Sequence, residues 1–181
     1  MVSDFVDNTK YKKNVYLAFE KNLLGTCGTL IKNIDFFESQ DGLFLHADNY
    51  CEENLNFLLK KHLKRPTECL MTMLTFETNK PSQSGIVELD HKNIVTNFYE
   101  KIQKPPSNLA NGAIYFISTS MIDILKKQYS GCTDFSKEII PQFLKKIYTY
   151  KTNQYFKDVG DLTSYQEVNN YLLDKSIGSD E

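Results

Sequence analysis

The sequence predicts an α/β fold, a mixed sheet with flanking helices, on three observations. Strand-like apolar runs alternate with helical repeats through the first half of the chain. A stretch of period-two alternation in the middle has the pattern of a hairpin. An apolar run near residue 45 stops abruptly at Asp48 and Asn49, and such strand ends carry ligand sites in sheets of this class.

The elements follow in order. Residues 14–20 (NVYLAFE) have the β-branched and aromatic content of a short strand, and two glycines in LLGTCGT precede a helical pattern. Leu30, Ile34 and Phe37 recur at i, i+4 and i+7, one face of a helix ending before Gly42. A strand over residues 43–47 comes next. Leu55, Leu58, Leu59 and Leu63 define a helix that Arg65-Pro66 stops, because proline disfavours helical geometry in the residue before it. A strand over residues 69–76 completes a strand and helix alternation that predicts a doubly wound sheet with right-handed crossovers. GIVELD and NIVTNFYEKI, with a turn around His91-Lys92, form the hairpin. Residues 113–118 are a strand, residues 121–128 and 136–146 helices, and a short strand pair is expected around residues 147–156. The last helix starts at Thr163, where Thr163-Ser164-Tyr165-Gln166 matches a capping box. Residues 1–175 are assigned to one domain, and residues 176–181 to a frayed, flexible tail.

A chain of 181 residues suits one core, since domains cluster at roughly 100 to 200 residues. Hydrophobic residues at 41% and charged ones at 24% argue against a disordered chain. A formal charge of -2 gives no basic field for nucleic acid, so no nucleic-acid partner is expected and any phosphate must be bound locally. Cys27, Cys51, Cys69 and Cys132 form no CxxC pair, and His46, His62 and His91 stand near none of them at zinc-like spacing. The polar start of the chain is no cleavable leader, and no apolar run approaches the ~18 residues that span a bilayer. A cytoplasmic protein with reduced thiols and no membrane partner is the expectation.

Five ordered stretches together resemble the sugar-phosphate nucleotidyltransferase family, of the mannose 1-phosphate and heptose 1-phosphate guanylyltransferase kind. They are Glu20…Leu24-Gly25-Thr26-Cys27-Gly28-Thr29; His46-Ala47-Asp48-Asn49; Gly85-Ile86-Val87-Glu88 with Tyr99-Glu100-Lys101; Ser107-Asn108-Leu109-Ala110-Asn111-Gly112-Ala113; and Phe156-Lys157-Asp158-Val159-Gly160. The resemblance implies a Rossmann-like mixed α/β sheet of the nucleotide-diphospho-sugar transferase type. It further implies that Glu20, Leu24, Gly25 and Thr26 lie against the nucleotide base. Gly85, Glu100, Asn111 and Gly112 would hold the sugar, and Lys101 its phosphate. Asp48 and Asp158 would bind the catalytic magnesium. Magnesium prefers hard carboxylate oxygens and needs only one or two from protein. Taken singly, each stretch has a plainer reading: a strand-to-helix turn, a helix cap at Asp48, a solvated charge pair at Glu100-Lys101.

Three departures stand out. Ala47 replaces the family's glycine, proline comes late at Pro105-Pro106 after Lys101, and Ala and Gly exchange order at 112–113. The family's opening G-G-x-G-T-R-L loop, which wraps the triphosphate, has no counterpart in the 181 residues. The expectation is therefore a fold truncated at its N-terminus that retains metal and sugar halves. It would be a fragment, an enzyme completed by an N-terminal chain, or a homo-oligomer. The implied reaction joins a nucleoside triphosphate, GTP in the first place, to a sugar 1-phosphate. The alternative is a catalytically silent module that binds nucleotide sugars.

Overall fold

The structure, a computed structural model, describes residues 1–177. After helix α1 (Val2–Asp7) and a tight turn (Lys12–Asn14), the chain runs exposed as far as α2 (Gly25–Lys32). The strand expected at residues 14–20 does not form, and Tyr16 and Phe19 are 75% and 88% exposed. β-branched and aromatic residues make a strand only where a neighbouring backbone supplies the ladder. The helix expected to carry Leu30, Ile34 and Phe37 breaks after Lys32. There the Asn33 amide donates to the Thr29 carbonyl (2.9 Å), and residues Ile34–Phe37 tighten into a 3-10 turn.

Strand β1 (Gly42–Leu45), the short β2 (Asn49–Cys51), helix α3 (Leu55–Leu63) and β3 (Met71–Glu77) come next. Asn54 caps α3 by accepting from the Asn56 N–H, and the helix stops before Arg65-Pro66 as the sequence requires. β4 (Gly85–Leu89) and β5 (Val95–Glu100) make the expected hairpin. Its turn is held by Asp90 Oδ1, which accepts from the N–H groups of Lys92 and Ile94. β6 (Leu109–Ile117) begins four residues earlier than expected, and α4 (Thr119–Gln128) follows, capped by Ser118. Residues 136–146 are not one helix. A π turn (Phe135–Ile139) gives way to a 3-10 turn (Ile140–Phe143), because Pro141 lacks the N–H a continuing helix needs.

The sheet order is β5-β4-β6-β3-β7, with β1 on the other side of β6 and β7 (Ile147–Lys151) running parallel to β3. That β3–β7 pair is its only parallel one among the described residues; the rest are antiparallel. The doubly wound expectation is thus corrected. Alternation of strands and helices does not fix strand direction, and β6 enters between β1 and β3 running against both. The expected strand pair around 147–156 also separates: β7 joins the main sheet, while β8 (Phe156–Asp158) pairs with β2 in a separate ribbon.

Side chains alternate across β6. Tyr115 and Ile117 enter the larger core with α2, α4 and Phe135–Phe143, while Ile114 faces Leu74 and Leu58 of α3. Helix α5 (Leu162–Ile177) closes the fold. Its cap is Asp161, which accepts from the Ser164 N–H (2.6 Å), rather than the box predicted at Thr163. Tyr171 of α5 stacks on Tyr155 at 3.9 Å, and Tyr171 and Lys175 donate to Glu52, beside β2 (2.9 and 2.7 Å). The expected frayed tail begins inside α5 at Ser176 and Ile177; its remainder, residues 178–181, lies outside the described residues. Among the described residues, no helix is long and apolar enough to cross a membrane.

Candidate functional site

At the end of β1 the His46 N–H donates to the Ala113 carbonyl (3.1 Å), and the chain turns through Ala47 and Asp48 into the ribbon. In the ribbon Asn49 lies opposite Asp158, and the Val159 N–H donates to the Asp48 carbonyl (2.8 Å). The ribbon therefore brings together two aspartates distant in sequence. The Asn49 amide donates to the Gly112 carbonyl (3.0 Å), tying the ribbon to β6. Neither aspartate side chain makes a hydrogen bond or ion pair with another described residue, and both residues are exposed. No group of three or more His, Cys, Asp or Glu is placed to hold a metal among the described residues. Two uncommitted carboxylates fit magnesium, which takes the rest of its shell from phosphate and water.

Gly85 starts β4, Glu100 ends β5 with Lys101 just after it, and Asn111 and Gly112 lie within β6. Gly85 lies opposite Glu100, and a Cβ there would come within 2.7 Å of the Phe98 ring and 2.8 Å of Glu100 Oε2. Glycine lets the Glu100 carboxylate lie across β4. Burial pushes the Glu100 carboxyl above its ordinary range, opposed by the Lys101 ammonium 4.0 Å away. The Lys101 side chain is otherwise exposed, and the Lys101 backbone N–H donates to the Ser84 carbonyl (3.3 Å).

Asn111 fastens its own turn: its amide donates to the Tyr115 hydroxyl (2.7 Å) and its Oδ1 accepts from the Ala113 N–H (2.9 Å). Gly112 packs on β3, where a Cβ would meet the Leu74 side chain at 2.7 Å and its carbonyl at 3.1 Å. The exchanged order has a visible cost. Ala113 sits at φ 49°, a left-handed conformation that favours glycine and costs other residues about 1–2 kcal/mol.

The third group lies on the larger-core face. Gly25 has φ 74°, and a Cβ would stand 2.4 Å from the Thr133 carbonyl oxygen, so only glycine fits. The Cys27 N–H donates to that same carbonyl (2.9 Å), and the Phe135 N–H donates to Thr26 Oγ1 (2.9 Å). Glu20 Oε2 accepts from the Leu24 N–H (3.3 Å) and the Thr29 hydroxyl (3.0 Å), while Oε1 is enclosed without a partner. Phe135 links this group to the others, its ring 5.1 Å from both Tyr115 and Phe44.

The structure thus joins Asp48 to Asp158, Gly85 to Glu100 and Lys101, and Asn111 to Gly112. Glu20, Leu24, Gly25 and Thr26 form a neighbouring patch with no hydrogen bond to the aspartates among the described residues. The sequence reading passed over two features. Tyr115, fully buried, anchors Asn111, and burial holds its phenol well above the ordinary range. A cavity of about 460 Å³ beside Asp158 is lined by the loop between β3 and β4, by β8 and by the start of α5. Its composition is that of an ordinary turn, so no pattern announces it.

The family model described as "Nucleotidyl transferase" matches residues 1–175, and the chain belongs to that family. Among curated relatives, the glucose-1-phosphate adenylyltransferase of Lachnospira eligens is 31% identical over 159 residues, covering 83% of this chain and 37% of the relative. The enzyme of the same name from Clostridium acetobutylicum is 31% identical over 160 residues, covering 83% and 42%. The chain spans about two fifths of the length of these relatives. In fold it matches a putative glucose-1-phosphate thymidylyltransferase from Bacillus anthracis in complex with a sucrose (TM-score 0.79, 17% identity, 93% of this chain and 71% of the other). It also matches HddC from Yersinia pseudotuberculosis complexed with GMP-PN (TM-score 0.72, 20% identity, 92% and 70%).

Proposed function

We propose that this chain carries the metal-binding and acceptor-binding parts of a sugar-1-phosphate nucleotidyltransferase. The observation that carries the reading is the ribbon in which Asp48 adjoins Asn49, the strand partner of Asp158, with both carboxylates uncommitted and Asn49 tied to the Asn111–Ala113 turn. In the reaction an oxygen of the sugar 1-phosphate attacks the α-phosphorus of a nucleoside triphosphate. The bond between the α-phosphorus and the bridging oxygen breaks, and its electron pair leaves with pyrophosphate. The nucleophile is already ionised, so no protein base takes a proton and catalysis is positioning with electrostatics. Asp48 and Asp158 would hold the magnesium ion, which when bound offsets the charge of the phosphates. Lys101 orients the attacking phosphate as an exposed point charge, Glu100 holds sugar hydroxyls, and Asn111, spent on Tyr115 and Ala113, shapes the turn of the sugar site.

Glu20 supports GTP as the nucleotide. A carboxylate accepts but cannot donate, and guanine presents N–H donors on the edge where adenine presents an acceptor, so Oε1, enclosed and unpartnered here, would have to turn outward to meet the base. A competition assay in which ATP, UTP or dTTP outperforms GTP overturns this choice.

The outer edge of β1 supports completion of the sheet by another strand, since β1 pairs only with β6 among the described residues. That strand would come from a second copy or an N-terminal chain. The four free cysteines suit a reducing, cytoplasmic setting. The test incubates the chain with triphosphates, sugar 1-phosphates and magnesium, following pyrophosphate and oligomeric mass. Pyrophosphate release from one sugar 1-phosphate supports the reading. Magnesium-dependent nucleotide-sugar binding without release replaces it with a silent binding module.

A further inference from the structure

We infer that Asp41, His62 and Thr72 form an acid-sensitive latch, which seats α3 on the sheet at neutral pH and lets it loosen, with the ribbon beside it, as pH falls.

His62 lies in the last turn of α3, fully buried where β1 and β3 begin. Its Nε2 stands 3.1 Å from Asp41 Oδ2, just ahead of β1, and its Nδ1 3.0 Å from the Thr72 hydroxyl of β3. Its ring stacks on Phe116 of β6 at 5.6 Å. A carboxylate only accepts, so Nε2 carries the proton and donates to Asp41, while Nδ1 accepts from Thr72. Asp41 also accepts from the Thr119 N–H and hydroxyl (2.8 and 2.9 Å), which brings the start of α4 into the same cluster. The order hydroxyl, imidazole, carboxylate is that of an activated nucleophile, but Thr72 and His62 have no exposed surface, so no substrate reaches them. The cluster holds elements together instead.

The neutral ring has a partner at each nitrogen. A second proton, on Nδ1, would turn a donor toward the Thr72 hydroxyl and bury a cation near Arg65, whose Nη2 already stands 3.7 Å from Asp41. Asp41 and Arg65 are the charged groups that face the imidazole. β3 and β6 present a hydroxyl and a ring, and β7, which also packs on α3, adds no charge. Burial foremost, and then Arg65, hold the imidazole below its ordinary value near 6.5, against the pull of Asp41. A folded value below the unfolded one means stability that is complete above 6.5 and lost as pH falls below it, because the unfolded chain takes the proton first. Loosening reaches the ribbon because Leu58 of α3 shares one small core with Cys51 of β2 and Phe156 of β8.

The test follows urea unfolding of the chain from about pH 8 to about pH 5, above the ordinary carboxylate range, with hydrogen-exchange protection factors for α3 and the ribbon. Below pH 6.5 the folding equilibrium constant is expected to fall by up to about tenfold per pH unit, the effect of one proton, and protection of α3 and ribbon amides to drop together. His62→Gln, whose amide donates and accepts without titrating, is expected to flatten the fall. A slope as steep in His62→Gln as in the native chain overturns the latch. Should that variant not fold, a ¹³C titration of the native imidazoles that puts His62 at 6.5 or above overturns it equally. Ribbon amides that keep their protection while α3 loses its own overturn the reach to the ribbon.

Discussion

The ribbon and the loop before α2 are built on opposite terms. Where this loop enters α2 the polar groups are used internally: Gly25, Thr26 and Cys27 of the helix's first turn are locked on Thr133–Phe135, and Glu20 spends one oxygen on Leu24 and Thr29. In the ribbon the backbone is used and the carboxylates are not; Asp48 and Asp158 are held by main-chain bonds while their side chains remain unengaged. Groups left unspent are available to a ligand, whereas groups already spent set a shape. Mutations in the two regions should therefore separate activity from stability.

The largest effect is expected in the ribbon. Asp48→Ala should lower kcat by roughly 10³-fold or more in a completed enzyme, the several kcal/mol supplied by a held metal. Its denaturation midpoint should stay put, since an exposed, unbonded side chain is worth within about ±0.5 kcal/mol. Near-normal turnover would remove Asp48 from the metal site. The loop should behave the other way. Gly25→Ala drives a methyl into the Thr133 carbonyl at positive φ, and urea unfolding should show a loss of about 2–3 kcal/mol. An unchanged midpoint would mean the loop is not locked.

A third effect is read against pH. Glu138 fixes the clamp beneath the loop, accepting from the Asp134 N–H (2.8 Å) and from the Thr133 N–H and hydroxyl (3.0 Å each). These bonds, that from Asp134 foremost, hold its carboxyl at about 2. A depressed folded value means stability present above the ordinary value near 4.5 and lost as pH falls toward 2. Unfolding midpoints should drop across that window, and Glu138→Gln should flatten the slope. The smallest effect is Ala113→Gly, which relieves left-handed strain but adds unfolded-chain entropy, for a net gain below about 1 kcal/mol by thermal unfolding.

Local chemistry was the legible part. The hairpin, the stop at Arg65-Pro66 and the family resemblance rest on residue types at short spacing, and all stand. What escaped was set by distant partners. Nothing around residues 49–51 or 156–158 announces that these short segments pair, and the strand direction of β6 depends on neighbours on both sides. Residues 14–20 have strand composition but no ladder, and the cap of α5 fell to Asp161 because its carboxylate, two residues upstream of the predicted box, reaches the free N–H first. The site followed the same division. The glycines ahead of a helix were visible in the sequence, whereas the approach of Gly25 to Thr133 and the commitment of Thr26 to Phe135 and of Asn111 to Tyr115 are tertiary facts.

The anchoring of α5 bears on how the site answers its ligand. Tyr171 and Lys175 reach Glu52, beside β2, and Tyr171 stacks on Tyr155, next to β8. One helix thus holds both strands of the ribbon on which the aspartates ride. If Asp48 and Asp158 hold an ion, loosening α5 is expected to loosen the ribbon, and an ion that binds the closed ribbon more tightly would by linkage slow amide exchange along the helix. The amides of α5 would then serve as reporters of occupancy at the two aspartates.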